Sequence, residues 1–226
     1  MDMPIGGDQG DRWNIDLPDI NRDLNGELIE LPDGREGLLV GNPDCSKDYF
    51  HKQGDNEFGC DGDCGLVSCG DVLNQFGVKV SENDVVRHAM DNGFCQIVPG
   101  SPEMSGGTSV MDQVEVLKSF GVPAHLELGG SLEGVADRIC DGHGVIIEVN
   151  AGELWDDAAY YDSGEPNHAV TVTNAVFNVD TGKVEGVYID DSGAGQYHRF
   201  LPVGHPALEG WLQNGASSVV TDLGHE

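Results

Sequence analysis

Basic residues are scarce in this 226-residue chain. Eleven Lys and Arg stand against forty Asp and Glu, a formal net charge of −29. Such a surface repels phosphate backbones and anionic lipid, which disfavours nucleic acid and anionic membranes as partners; none is expected. Long apolar runs are missing too: none approaches the ~20 residues of a membrane span. The start, Met1-Asp2-Met3-Pro4-Ile5-Gly6-Gly7-Asp8, has neither a basic n-region nor an apolar h-region. It is not a secretory signal peptide, so a cytoplasmic place or export by a specialised route is expected. Ordered metal-ligand spacing is also absent. Cys60, Cys64 and Cys69 are separated by acidic and glycine residues and make a poor zinc knuckle. The carboxylates of residues 51–63 lack the spacing of an EF-hand loop. No metal or cofactor is expected. Six cysteines, at 45, 60, 64, 69, 95 and 140, form no disulfide framework in a chain this long without an export signal.

What is present begins with Asp63-Cys64-Gly65-Leu66-Val67-Ser68-Cys69-Gly70-Asp71-Val72-Leu73-Asn74-Gln75-Phe76-Gly77. Leu66, Val72, Leu73 and Phe76 recur at helical spacing, and Gly77 is a stop signal. Cys64 precedes the first full turn, where free N–H groups and the helix dipole favour a thiolate. Two readings of Cys64 stand on this stretch alone, a nucleophile and a small buried hydrophobe.

Around it, residues 1–50 form an acidic arm rich in Gly, Pro, Asp and Asn, lying on a domain of residues 51–226. Its only expected strands are 27–31 and 37–40, flanking a Pro32-Asp33-Gly34 turn. Helices are expected after Ser81, with Asp84 three positions on. Others follow Gly106-Gly107-Thr108 and Ser131. From residue 144 the pattern changes to strands: 144–150, 168–177, 184–190, 197–201 and 217–222, with one late helix at about 206–212. Helices first and antiparallel strands second is an α+β layout.

A nucleophilic cysteine needs a base and an orienting acceptor, distant in sequence and adjacent in space. Of eight histidines, His168 opens a strand after the Gly164-Glu165-Pro166-Asn167 turn, a position that faces a cleft. The acceptor should end the neighbouring strand. In Val187-Tyr188-Ile189-Asp190-Asp191-Ser192-Gly193, Asp190 is placed to accept the imidazole N–H and hold its tautomer. Asp190 and Asp191 also suit a plain turn.

The order Cys, His, Asp, with Asp63-Cys64-Gly65 and Asn167-His168-Ala169-Val170, resembles papain-like cysteine peptidases. The nearest branch is the bacteriocin-leader-processing (double-glycine) peptidases and their relatives, bacterial thiol proteases. The likeness covers about residues 51–222. It implies an α+β papain-like fold, with Cys64 as nucleophile, His168 as general base and acid, and Asp190 as orienting residue. It also implies a polypeptide substrate, with an inhibitor or immunity protein as a further partner. The role would be peptide maturation or that of a delivered effector. Deamidation and transglutamination by the same triad are alternatives, as is an inactive peptide-binding domain. Two positions depart from the family. Its oxyanion-hole Gln, about six residues before the Cys, is Phe58 here. Gln53 lies eleven residues upstream and serves if Phe58–Asp63 loops out. Asp190-Asp191 replaces the Asp-Pro of leader-processing members.

Overall fold

The computed structural model describes residues 12–16, 23–41 and 47–224. The sequence expectations for residues 1–11, 17–22, 42–46 and 225–226, Cys45 among them, lie outside this set. Three strands open the described chain, and three helices follow them: α1 (Cys64–Gln75), α2 (Glu82–Asn92) and α3 (Val110–Ser119). The second and third helices are set by local chemistry. Ser81 and Asp84 close a reciprocal capping box on α2, and Ser109 and Asp112 do the same on α3. Gly93 ends α2 in the left-handed conformation that a residue with a Cβ resists.

The remainder is one antiparallel sheet with helices α4 (Leu132–Cys140), α5 (Ala151–Trp155) and α6 (Pro206–Gln213). Its strands are β1 (Arg12–Asp16), β2 (Asp23–Glu30), β3 (Glu36–Gly41), β4 (Ala124–Glu127), β5 (Val145–Val149), β6 (His168–Asn178), β7 (Val184–Asp191), β8 (Gln196–Pro202) and β9 (Ser218–Thr221). The order is β1-β2-β3-β6-β5-β9-β4, with β7 paired to β6 and β8 to β7. The long β6 is the spine. Its first half, from His168 to Val172, pairs with β5, and its second half, from Asn174 to Asn178, pairs with β3. β7 runs along its other edge.

The sheet carries apolar side chains on both faces, because helices cover both. Leu66, Val72 and Leu73 of α1, Val85 of α2 and Leu117 of α3 pack on Ile146 and Ala169. On the opposite face Val135 and Ile139 of α4 and Leu208 and Trp211 of α6 pack on Val145, Ile147, Val149 and Val170. Alternation along β5 sends successive side chains to opposite layers, which explains a run that is apolar except at Glu148. Each of these buried Leu, Ile and Val side chains contributes roughly 1.5–3 kcal/mol.

The N-terminal strands are more than an arm lying on the surface. The turn at residues 32–34 forms, but β3 enters the sheet, and Leu38 is fully buried in the same core as Val145 and Leu201. Strand β1 and the five-residue α5 went unforeseen. Among the described residues, no helix is long and apolar enough to cross a membrane.

Candidate active site

Cys64 is the first residue of α1, with Asp63 as N-cap. Its side chain is half-buried. The Ala169 backbone N–H donates to Cys64 Sγ at 3.4 Å. That contact joins the helix layer to β6 one residue beyond His168. His168 is 3 % exposed and hydrogen-bonds Cys64. Its Nε2 meets a carboxylate at 2.9 Å, and that carboxylate is Asp191 Oδ1.

The expected acceptor, Asp190, is therefore not the one that meets the imidazole. Strand β7 runs one residue further than its apolar pattern indicates, to Asp191. Neighbours on a strand point to opposite faces, so only one of two adjacent aspartates can reach His168. The β7–β8 pairing is irregular between Ile189 and Asp191, which sets the final direction. Asp190 accepts the His198 N–H at 3.0 Å, and its charge, after burial, helps raise the carboxyl of Asp71 on α1.

Asp191 is fully buried and well supplied with donors. Trp155 Nε1 donates to its Oδ2 at 2.8 Å, the Ala194 N–H to Oδ1 at 3.2 Å, and Arg199 reaches Oδ2 at 3.4 Å. Burial alone would raise its carboxyl, but the bond and charge of His168, with Trp155 and Ala194, hold it below the ordinary carboxylate value. For His168 burial likewise works against the charge. The hydrogen bonds to Asp191 and Cys64 and their charges outweigh it, and the imidazole is pushed up to about 10. The ring thus lies between a buried carboxylate and a sulfur at a helix N-terminus.

Trp155 was missed in the sequence. It ends α5, its ring lies 5.1 Å from that of His168, and Tyr160 stands edge-on to it at 4.9 Å. The signal was present in Asn150 and Glu153: the Asn150 side chain caps α5 by accepting the Glu153 N–H. Gly193 leaves room for this stack. A Cβ there would stand 2.6 Å from Trp155 and 2.9 Å from His168 Cε1.

Gln53 lines the same cleft as Cys64 and His168. Its N–H donates to the Ser192 carbonyl at 3.1 Å, its Oε1 accepts from Ser192 Oγ at 3.2 Å, and its Nε2 donates to the Asp61 carbonyl at 2.8 Å. One N–H of that amide is thus committed to Asp61. Phe58, six residues before Cys64, packs into the apolar layer beneath the Arg87 guanidinium, 5.4 Å away. Between Gln53 and Cys64 the chain turns on Gly54 and Gly59, both at positive φ.

The cleft holds about 840 Å³ between Gln96, Glu103, Met104 and Gly107 on one wall and Ala151, Trp155, Tyr160 and Asn167 on the other. A slightly larger groove of about 930 Å³, between α4, α6 and the β6–β7 turn, contains neither cysteine nor histidine. Size does not mark the site; chemistry does. Among the described residues no group of three His, Cys, Asp or Glu is arranged to hold a metal ion.

No protein-family model matches this chain, and no curated protein matches it either. Solved structures do. A Bacillus anthracis protein described as a C39-like peptidase superposes with a TM-score of 0.52 at 17 % identity, covering 83 % of this chain and 99 % of its own. A double glycine motif protease from an AMS/PCAT transporter, solved with the leader peptide, gives 0.42 at 16 % identity, covering 71 % and 84 %. At such identity the first of these shows a shared fold, mixed helix and antiparallel sheet.

Proposed function

We propose that this chain is a papain-like cysteine peptidase acting on a polypeptide substrate. The observation that carries the reading is the contact series Cys64, His168, Asp191, from a helix N-terminus through a strand start to a strand end, at the floor of an open cleft. Its fold, shared with a C39-like peptidase, supports the same class.

The roles follow from the geometry. The Cys64 thiolate attacks a substrate carbonyl carbon. The developing oxyanion is held by the Cys64 backbone N–H, unpaired at the first turn of α1, and by the free N–H of the Gln53 amide. His168 gives its proton to the leaving amine and then takes one from water, which hydrolyses the thioester. Asp191, in place of Asp190, holds the ring through Nε2 and leaves Nδ1 for the sulfur. Trp155 covers the Asp191–His168 bond and keeps water from competing for it.

The reading is tested by trace alkylation. Limiting iodoacetamide at neutral pH, followed by peptide mass mapping, should label Cys64 ahead of the other five cysteines. His168→Ala should remove that preference. Equal labelling of Cys64 and Cys140 in the parent chain refutes the reading.

A further inference from the structure

One buried group near the site has no part in the steps above. Glu82, in the first turn of α2, is 4 % exposed and gathers the segment that carries Gln53. Its Oε1 accepts the Gly54 N–H at 3.1 Å and Asn56 Nδ2 at 2.8 Å. Its Oε2 meets His51 Nε2 at 2.5 Å. These partners lie within three residues of Gln53. The same carboxyl hydrogen-bonds Asp63, the N-cap of α1 and the neighbour of Cys64. No N–H or O–H donor reaches Asp63 Oδ1, so the pair is joined carboxyl to carboxyl and must share a proton. Asn56 Nδ2 closes the cluster by reaching Asp63 Oδ2 at 3.3 Å.

We propose that Glu82 is a positioning residue for this site: it ties the Gln53 segment to the N-terminus of α1, so that the Gln53 amide and the Cys64 N–H face one point. The proposal rests on the peptidase reading. Neither Gln53 nor Cys64 touches Glu82 directly, yet both of their flanking segments end on it. A bonded carboxyl pair suits this task because one proton satisfies both oxygens in a buried place, where two charges repel. The titratable groups facing the pair are His51 and Asp55 of the same segment, Tyr49, Cys60, Cys64 and Cys95. Burial and the Glu82 contact push Asp63 up to about 9. Above that pH a second negative charge enters the cluster, and the tie loosens.

The test compares two reactions of one sulfur. p-Nitrophenyl acetate acylates Cys64: the thiolate adds to the ester carbonyl, the C–O bond breaks, and p-nitrophenolate leaves. That route needs the oxyanion donors. Iodoacetamide alkylates the same thiolate by displacing iodide and needs none. The Cys64-dependent rates are taken by subtracting Cys64→Ala. Glu82→Ala should slow acylation by up to about 10²-fold, as a misplacement of about 1 Å does, and leave alkylation unchanged. Glu82→Gln, which keeps an acceptor for Gly54 and Asn56, should recover most of the acylation at pH 7. In the parent chain the acylation-to-alkylation ratio should fall above pH 9, and in Glu82→Gln it should stay flat. Should Glu82→Ala fail to fold, the Glu82→Gln pH profile decides. A folded Glu82→Ala with the parental ratio, or a Glu82→Gln ratio that falls with pH as the parent's does, overturns the proposal. A parent chain with no Cys64-dependent acylation overturns the peptidase reading, and this proposal with it.

Discussion

Replacing Asp191 with Asn keeps the shape of the acceptor and removes its charge. His168 stands at about 10 against an ordinary 6.5. At about 1.4 kcal/mol per pH unit, that is roughly 5 kcal/mol of preference for the imidazolium, divided between Asp191 and Cys64 and opposed by burial. An opposite charge in direct contact typically accounts for about one to three pH units. Asp191→Asn should therefore lower the His168 midpoint by about that much, read from the ring Cε1–H resonance in an NMR titration. Turnover should fall by about 10²–10⁴, because a neutral amide also permits the wrong tautomer. Stability follows with a definite sign. A base whose folded midpoint is raised contributes fully below 6.5 and loses that contribution as pH climbs towards 10. Parental stability should decline across that window in urea melts, and Asp191→Asn should flatten the decline. Asp190→Asn is the control and should leave the His168 midpoint unmoved. An Asp191→Asn chain with the parental midpoint, beside an Asp190→Asn chain with a lowered one, refutes the assignment of the orienting carboxylate.

Other substitutions probe the rest of the cleft. Gln53→Ala should cut kcat by about 10²–10³ with KM little changed, the signature of a donor used only in the transition state; parental steady-state constants would remove Gln53 from the hole. Trp155→Phe keeps the ring against His168 and deletes the hydrogen bond to Asp191, which should cost about 1–3 kcal/mol in activation free energy, read as kcat/KM across pH; a loss no larger than that of Tyr160→Phe would show the bond to be idle.

Much of this arrangement was legible in the chain. Ser81 with Asp84 announced α2, and Ser131 announced α4, because caps are local chemistry. Cys64 and His168 stood out for the same reason, each at the start of a periodic element. The choice between Asp190 and Asp191 was not local. It depended on how far β7 stays paired with β6 and on an irregularity opposite β8, neither of which composition carries. The helix bearing Trp155 has five residues, too few for a 3.6-residue period to register. Glu82 reads as an ordinary acidic residue in a helix's first turn; only the return of residues 51–63 over it makes it buried.

The division of β6 between two partners has a consequence for the economy of the whole molecule. Every residue assigned a role in the chemistry lies beyond position 50, yet the register that holds His168 opposite Cys64 is fixed along a strand whose far half is matched by Leu38, Leu39 and Val40. A proteolytic cut at the 42–46 junction, followed by loss of the strands before it, would spare all the reacting groups. It would also bare the donors and acceptors of residues 174–178 as an unprotected edge and uncover the pocket that Leu38 fills. Such an edge invites pairing with another chain. Strand β3 thus shields that edge of the sheet, and its loss should surface first as aggregation, before any chemical defect.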